Sequence, residues 1–541
     1  MVMAKLLDLV VIGVLFLMSG TIWTESVSHS RSGSSENFAA FSIQDIEVFI
    51  GLEKKVSSQL HQYLIKKEEN LQKMEAILAS VRYQQEHQIV KYEDQPRYPI
   101  AAYTLLKRFI HDWSSITKLM THQLGQDFIR NLRRRETILP TVVDWNYTIK
   151  SILRLQTTYN LTAKDLADGK IQGTKDLGIQ LNWFDCTMIA NAANEERGFG
   201  NAYDWAKLAL KLSENATDMT NDVRKEIIRS LSTNAFQIGR TKEAIGYIQE
   251  LLKLDPNDTS AKDGYEKLKS ALAEEATNVL KNGPNHFQDY VKRLGRADST
   301  RRLAENTEFG NLCRGNVKEE FQVRLANKTL KCYYSNQSPL LYLAPIPVEE
   351  ISLDPFIVIY YDIINDHQIE TIKKISRKKE CNTCVLLLKA ISILAAWLDE
   401  NISEVTKSLS RMAQAVTGLN IKYSEHLQVA NYGIGGHYFP HYDYTALKFG
   451  TLKPRLATLM YYLSDVEIGG ATVFPFLGIT VQPRKGSAIY WINLYRNATT
   501  HHYHTFHGGC PVLIGSKWIA NRWINANGQE LRYPCSLNSH E

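Results

Sequence analysis

The chain has 541 residues, 44% of them hydrophobic and 22% charged, which is ample material for a core and, by usual domain sizes, for about three or four units. Lys and Arg number 63 against 57 Asp and Glu, a formal charge of +6 spread along the chain and not gathered into one long patch, so nucleic acid is not indicated. The cluster Arg133-Arg134-Arg135 reads as a solvated helix face.

Met1 to Lys5 carries one positive charge, Leu6 to Met18 is mostly apolar apart from Asp8, and small or polar residues follow at Ser19 to Ser26. That order is a secretory signal peptide over 1–26. The apolar stretch is shorter than the roughly 20 residues that span a bilayer, so an uncleaved anchor is the weaker alternative, and no later segment reads as a membrane span. Eight N-x-S/T sequons, at Asn146, Asn160, Asn215, Asn257, Asn327, Asn336, Asn401 and Asn497, fit a lumenal glycoprotein. The last residues, Leu537-Asn538-Ser539-His540-Glu541, are not a KDEL-type signal, so residence in the endoplasmic reticulum would need a retaining partner.

From about Asp45 to Val81, Phe49, Leu52, Val56, Leu60, Leu64, Leu71, Met74, Leu78 and Val81 recur at three- and four-residue steps among Lys, Glu and Gln. This spacing predicts a long amphipathic helix, either packed on its own domain or forming a coiled-coil seam. Pro96, Pro99 and Pro140 punctuate a region that otherwise looks helical. Between about 180 and 270, YDWAKLALKL and AFQIGRTKEAIGYIQELLKLDPND place Gly239, Ala244 and Pro256 at the small-residue and helix-ending positions of a tetratricopeptide-like helix pair. Downstream, PFIVIYYDII, ATLMYYLSDV, GITVQP, SAIYWINL and KWIANRWI are short, β-branched or aromatic and bounded by Gly, Pro, Asn or Asp, which predicts strands.

The chemistry-bearing residues fall among these strands. Residues i and i+2 of a strand share one face, so His441 and Asp443 in GGHYFPHYDY can point at one ion while Tyr442 points away. Alone, the triplet also fits a hydrogen-bonded surface pair. With His507 it gives two imidazoles and one carboxylate, the set that binds non-heme Fe(II) and leaves positions open for a chelating co-substrate and O2. Zinc competes for such ligands, but a structural zinc site usually has four protein ligands, often including cysteine. Seven cysteines fit an oxidising compartment. Cys381-Asn382-Thr383-Cys384 has no second pair to make a zinc site and reads best as a local disulfide.

LQVANYGIGGHYFPHYD, GGATVFP (469–475) and CPVLIGSKW (510–518) closely resemble the catalytic domain of collagen prolyl 4-hydroxylase alpha subunits, most strongly over about 420–535 and more weakly through most of the chain. The resemblance implies a double-stranded β-helix in a multidomain α + β protein. It implies oxidative decarboxylation of 2-oxoglutarate to succinate coupled to oxygen insertion into a C–H bond, with ascorbate rescuing oxidised iron. His441, Asp443 and His507 would hold Fe(II), and Lys517 would pair with the far carboxylate of 2-oxoglutarate. Tyr432, Tyr438 and Tyr462 would line the co-substrate pocket, although core tyrosines with satisfied hydroxyls fit them equally. His507 keeps the family's offset to Cys510 and Lys517, which leaves His501, His502 and His504 as solvated loop residues.

The resemblance further implies disulfides Cys313–Cys332 and Cys510–Cys535, with Cys186 single, a dimerisation seam on the first long helix, and an alpha2beta2 tetramer with protein disulfide isomerase. The implied map is a helical dimerisation domain over 27–155, a peptide-binding domain over 156–272, a linker with a disulfide over 273–340 and the oxygenase domain over 341–541. The substrate would be proline in collagen-like Gly-X-Pro sequences. Alternatives are an oxygenase of the same type with a non-collagen secreted substrate and a secretory peptide-binding subunit with an idle catalytic domain.

The chain departs from its relatives in two places. The peptide groove, rich in tyrosine in the family, offers here Trp183, Phe184, Phe199, Tyr203 and Phe236 beside Ala193, Ser232 and Asn234, and core packing suits each aromatic better than peptide contact. The stretch between Ile375 and Gly418, and the loop after Asp443, are shorter than the matching family segments.

Overall fold

The computed structural model describes residues 43–86, 108–121, 142–171, 180–214, 216, 219–282, 308–319, 321, 329–380, 394–433, 435–443, 454–497 and 500–536. The signal segment, Cys381-Asn382-Thr383-Cys384 and the loop after Asp443 lie outside the described residues. The N-terminal half is helical: α1 (Ile43–Glu86), α2 (Ser114–Thr121), α3 (Val142–Tyr159), α4 (Ala163–Ala167), α5 (Trp183–Glu195), α6 (Phe199–Ser213), α7 (Asn221–Gln237), α8 (Thr241–Leu254), α9 (Thr259–Asn282) and α10 (Glu308–Cys313). No helix among the described residues is long and apolar enough to cross a membrane.

Local chemistry sets these boundaries. Asn182 and Asp185 form a reciprocal capping box at the start of α5, and Thr220 caps α7, so the first free N–H groups find acceptors. Gly239, at φ +80°, turns the chain from α7 into α8 through a left-handed conformation that suits glycine. Alanines then let the helices approach closely: Ala190 and Ala193 of α5, Ala202 and Ala206 of α6 and Ala244 of α8 share one core with Trp205, Ile228, Leu231 and Leu251. Tyr203 belongs to that core, and its hydroxyl donates to Glu243 at 2.5 Å. Phe184, by contrast, is 48% exposed.

The C-terminal half contains β1 (Cys332–Ser335), β2 (Ile346–Leu353), β3 (Phe356–Tyr360), α11 (Asp366–Glu380), β4 (Leu394–Leu398), α12 (Glu404–Thr417), β5 (Leu427–Tyr432), β6 (Tyr438–His441), β7 (Arg455–Tyr462), β8 (Ile468–Gly469), β9 (Thr472–Phe474), β10 (Ile479–Val481), β11 (Ala488–Ile492), β12 (His507–Gly509), β13 (Val512–Ile514) and β14 (Lys517–Asn525). An eight-stranded sheet runs β1-β2-β3-β11-β7-β14-β5-β4, a four-stranded sheet runs β10-β9-β12-β6, and β13 pairs with β8. Every pairing is antiparallel.

Alternation explains why the central strands read as unbroken apolar runs. On β7, Leu459 and Tyr461 join the core that also holds Ile369 and Ile372 of α11 and Leu409 and Ala413 of α12. Met460 and Tyr462, one residue out of phase, join the core shared with Phe474, Ile479 and Val481 of the smaller sheet. Strand β11 divides likewise, with Tyr490 on the helix side and Trp491 between the sheets. Both faces are covered, so both are apolar. Each large aliphatic side chain buried this way contributes about 1.5–3 kcal/mol.

The cysteine pairing differs from the expectation. Cys313 bonds Cys510, and Cys332 and Cys535 are free and exposed. Phe309 and Leu312 of α10 pack with Val473 and Cys510, which brings the Cys313 and Cys510 Cα atoms to 5.6 Å, within reach of a disulfide. Cys332 is carried instead to β1 at the edge of the large sheet. Cys186 is buried and single, as expected.

Candidate metal centre

Strand pairing assembles the three expected ligands. His441 ends β6 and is in register with His507 at the start of β12, so two residues far apart in sequence become cross-strand neighbours with ring centroids 4.5 Å apart. Asp443 lies two residues past His441, and its Oδ1 is 3.4 Å from His441 Nε2 while its Oδ2 is 3.8 Å from His507 Nε2. One ligand atom from each residue lies within 4.8 Å of the other two, the one such cluster among the described residues.

Neighbouring groups orient these ligands. The Nδ1 of His441 donates to Phe439 O at 2.8 Å, and that of His507 donates to Thr505 O at 2.9 Å, since a carbonyl can only accept. Both Nε2 atoms are left with a lone pair facing the shared point. Thr458 Oγ1 donates to Asp443 Oδ2 at 2.7 Å and accepts from Asn493 Nδ2 at 2.9 Å. Burial alone would raise the Asp443 carboxyl, but the fields of His507, His441 and Arg455 outweigh it and hold the group below the usual carboxylate range. Burial lowers His507 to about 4, so its imidazole is neutral at physiological pH, the form a metal needs.

Behind the ligands lies a buried cation. Lys517 starts β14, is 1% exposed, and is in register with Tyr432 at the end of β5. Its Nζ sits 5.2 Å from the Tyr432 ring and 5.9 Å from the Tyr462 ring, with a long 3.5 Å hydrogen bond to Thr472 Oγ1. Tyr462 donates to the same Thr472 oxygen at 2.8 Å. Burial pushes the Lys517 ammonium down to about 7. A buried ammonium without an anion is costly, so the pocket suits a carboxylate guest. Tyr438 lies against His441, with ring centroids 3.8 Å apart. Phe474 and Trp491 wall His507 at 5.7 and 4.7 Å. Trp491 Nε1 and Asn493 Oδ1 are buried without a partner among the described residues, a donor and an acceptor free for a polar guest.

The donor set therefore fits Fe(II), and Lys517 fits the distal carboxylate of 2-oxoglutarate. His501, His502 and His504 stand apart from the cluster but are not a solvated set. His502 is buried and its Nε2 lies 2.9 Å from Asp354 Oδ1, and His501 lies tilted against Tyr442 with ring centroids 4.3 Å apart.

Sequence reasoning missed two supports. Thr458 is a polar residue inside the apolar run RLATLMYY, a signal that could have marked it. The other support comes from the helical half. Arg154 of α3 donates to Gly435 O at 2.7 Å, and Tyr159 donates to Pro511 O at 2.5 Å. Gly435, at φ +68°, has no room for a Cβ, which would lie 2.7 Å from Ser151 Cβ. Helix α3 thus grips the loop that leads into β6 and the turn that follows β12.

Two sheets carrying a His-Asp-His cluster beside a buried lysine define an Fe(II)/2-oxoglutarate oxygenase, and residues 427–525 match the 2OG-Fe(II) oxygenase superfamily. Residues 42–173 match the N-terminal region of the prolyl 4-hydroxylase alpha-subunit. The chain is similar to prolyl 4-hydroxylase subunit alpha-2 of Gallus gallus, 34% identical over 81% of this chain and 84% of that protein. It is also similar to subunit alpha-2 of Caenorhabditis elegans (31%, over 92% and 93%) and to human subunit alpha-1 (33%, over 82% and 85%). A viral collagen prolyl hydroxylase from Paramecium Bursaria Chlorella virus-1, solved with 2-oxoglutarate, matches at 29% identity and TM-score 0.28 over 31% of this chain and 96% of that one. The chain belongs to the prolyl 4-hydroxylase alpha-subunit family and is a dioxygenase.

Proposed function

We propose that the chain hydroxylates proline in collagen-like Gly-X-Pro sequences of secreted proteins, with decarboxylation of 2-oxoglutarate to succinate. The observation that carries this reading is the cluster of half-buried His441 with buried Asp443 and His507, with buried Lys517 behind it. Iron bound there supplies the activation of O2. His441, Asp443 and His507 hold the metal, Thr458 fixes the carboxylate, and Lys517 pairs with the far carboxylate of the co-substrate. Tyr432 and Tyr462 line the lysine's pocket, and Tyr438 flanks His441. The hydrophobic walls keep water from the reacting centre.

The wider assembly follows the family. Residues 1–26 direct the chain to the endoplasmic reticulum, where it is glycosylated, uses ascorbate, and joins protein disulfide isomerase in an alpha2beta2 tetramer. The map is that of the sequence: dimerisation over 27–155, tetratricopeptide-like peptide binding over 156–272, a linker over 273–340 and oxygenase over 341–541. Support for a coiled-coil seam is the 44-residue α1, on which Leu60, Leu64 and Leu71 remain 40–42% exposed. The paired helices α5–α8 support the peptide-binding reading.

The test is turnover by the chain co-expressed with protein disulfide isomerase and given Fe(II), ascorbate, 2-oxoglutarate and a Gly-X-Pro peptide. Succinate and 4-hydroxyproline forming in step is the expected result. Succinate without hydroxyproline would sink the collagen-type substrate, and neither product from an iron-loaded complex would sink the enzyme.

A further inference from the structure

An aromatic patch stands at the rim where β6 ends and β12 begins. Tyr442 follows the ligand His441, and Phe506 precedes the ligand His507, so the pairing of those histidines also brings Tyr442 and Phe506 together, with ring centroids 5.0 Å apart. Phe476, in the turn between β9 and β10, stacks on Phe506 at 5.2 Å and on Tyr503 at 4.4 Å. Tyr442 closes the patch by donating from its hydroxyl to Tyr503 O at 3.1 Å. Tyr503 is 51% exposed, and the other three rings are half-buried.

Nothing in the metal chemistry requires these rings. Phe474 and Trp491 already wall His507 from between the sheets, and the residues paired with Lys517 lie on β5, β7 and β9. Contiguous exposed apolar surface usually marks a binding site. Proline rings, preset in the polyproline II conformation, dock on aromatic surfaces at low entropic cost. A cavity in the helical half offers no such surface. That cavity, of about 800 Å³ between α5 and α7, is lined by Asn191, Asn194, Ser230, Thr233, Lys225 and Arg229, among other residues, and contains no aromatic ring.

We propose that Tyr442, Phe476, Tyr503 and Phe506 form a proline-binding platform beside the metal, which receives a proline flanking the one to be hydroxylated. The platform adds an aromatic contact beside the metal to the peptide binding proposed for α5–α8, whose cavity has no aromatic residue in its lining. This inference rests on the prolyl hydroxylase reading and names how the same site selects its substrate.

The test compares the full chain, assembled with its partner, with its Phe476→Ser and Tyr503→Ala variants; Phe184→Ser, an exposed aromatic of α5, serves as the comparison. Peptide Kd is measured by calorimetry alongside the KM values for peptide and 2-oxoglutarate. The expected result is a peptide Kd and KM raised at least fivefold by both rim variants, with the 2-oxoglutarate KM moving less than twofold. Replacing the flanking proline of the peptide by alanine should weaken binding to the wild type and add little further loss in Phe476→Ser. A peptide Kd unmoved in both rim variants, equal rises in both KM values, or a Kd that follows Phe184→Ser instead would overturn the platform. A wild type that makes no hydroxyproline while its Kd follows the rim variants would overturn the catalytic reading and leave the platform standing.

Discussion

Two lysines show how differently the halves of the molecule use the same residue. Lys225 lines the helical cavity in contact with water, and Asp222 at 2.9 Å and Asp255 at 3.4 Å raise its pKa. Lys517 is sealed between two sheets, and burial lowers it to about 7. Helices packed by alanine leave a hydrated groove whose charges are already partnered. Two sheets with apolar inner faces bury Lys517 with a long hydrogen bond to Thr472, and at such a buried site an electrostatic contact is far stronger. The difference teaches that reactive electrostatics in this chain come from sheet packing.

Breaking the metal centre should have the largest effect. Asp443→Asn removes the anionic ligand and should abolish both succinate and hydroxyproline, with iron lost on gel filtration; retained iron and turnover would refute the ligand set. Next, Lys517→Met exchanges a charge-assisted contact for an apolar one, and at about 1.5–3 kcal/mol the 2-oxoglutarate KM should rise roughly 10- to 100-fold. The sign with pH follows from the lowered pKa: the ammonium is charged below about 7 and neutral above it, so the wild-type 2-oxoglutarate KM should rise between pH 6.5 and 8.5. That rise should vanish in Lys517→Met.

Thr458→Val leaves Asp443 Oδ2 without its donor and should weaken iron binding about 10- to 100-fold, measured by metal titration. Arg154→Gln tests the bond between the halves. Leaving the Gly435 carbonyl unpaired should cost about 1–3 kcal/mol, seen as a lower unfolding midpoint in denaturant. The smallest change is expected from Lys225→Met, which should leave the 2-oxoglutarate KM unmoved because the cavity holds no part of the metal centre.

The parts legible in the sequence were those that depend on short spacings. His441 and Asp443 do meet, two residues apart, although the strand ends at His441 and Asp443 lies in the bend that follows; the strands themselves were visible as β-branched and aromatic runs. Gly239 and Ala244 marked the helix pair because a left-handed turn suits glycine and close packing suits alanine. His507 and Lys517 became legible only beside related sequences, since nothing local ties them to His441 and Asp443, 64 to 76 positions earlier.

The disulfide shows where such reading fails. Offsets within the family suggested Cys313–Cys332, yet the packing of Phe309 and Leu312 on β9 brings Cys313 to Cys510. The grip of Arg154 on Gly435 spans 281 positions in sequence and left no local trace.

By itself the sequence determined the close spacing of His441 and Asp443, the apolar runs that become strands, and the helical character of the first half. Tertiary structure alone decided which histidine lies opposite His441, how far burial lowers Lys517, which cysteines meet and which aromatic rings gather at the rim. The reason is physical: periodicity is a property of neighbours along the chain, whereas burial, pKa and cross-strand contact arise only when distant segments exclude water from one another.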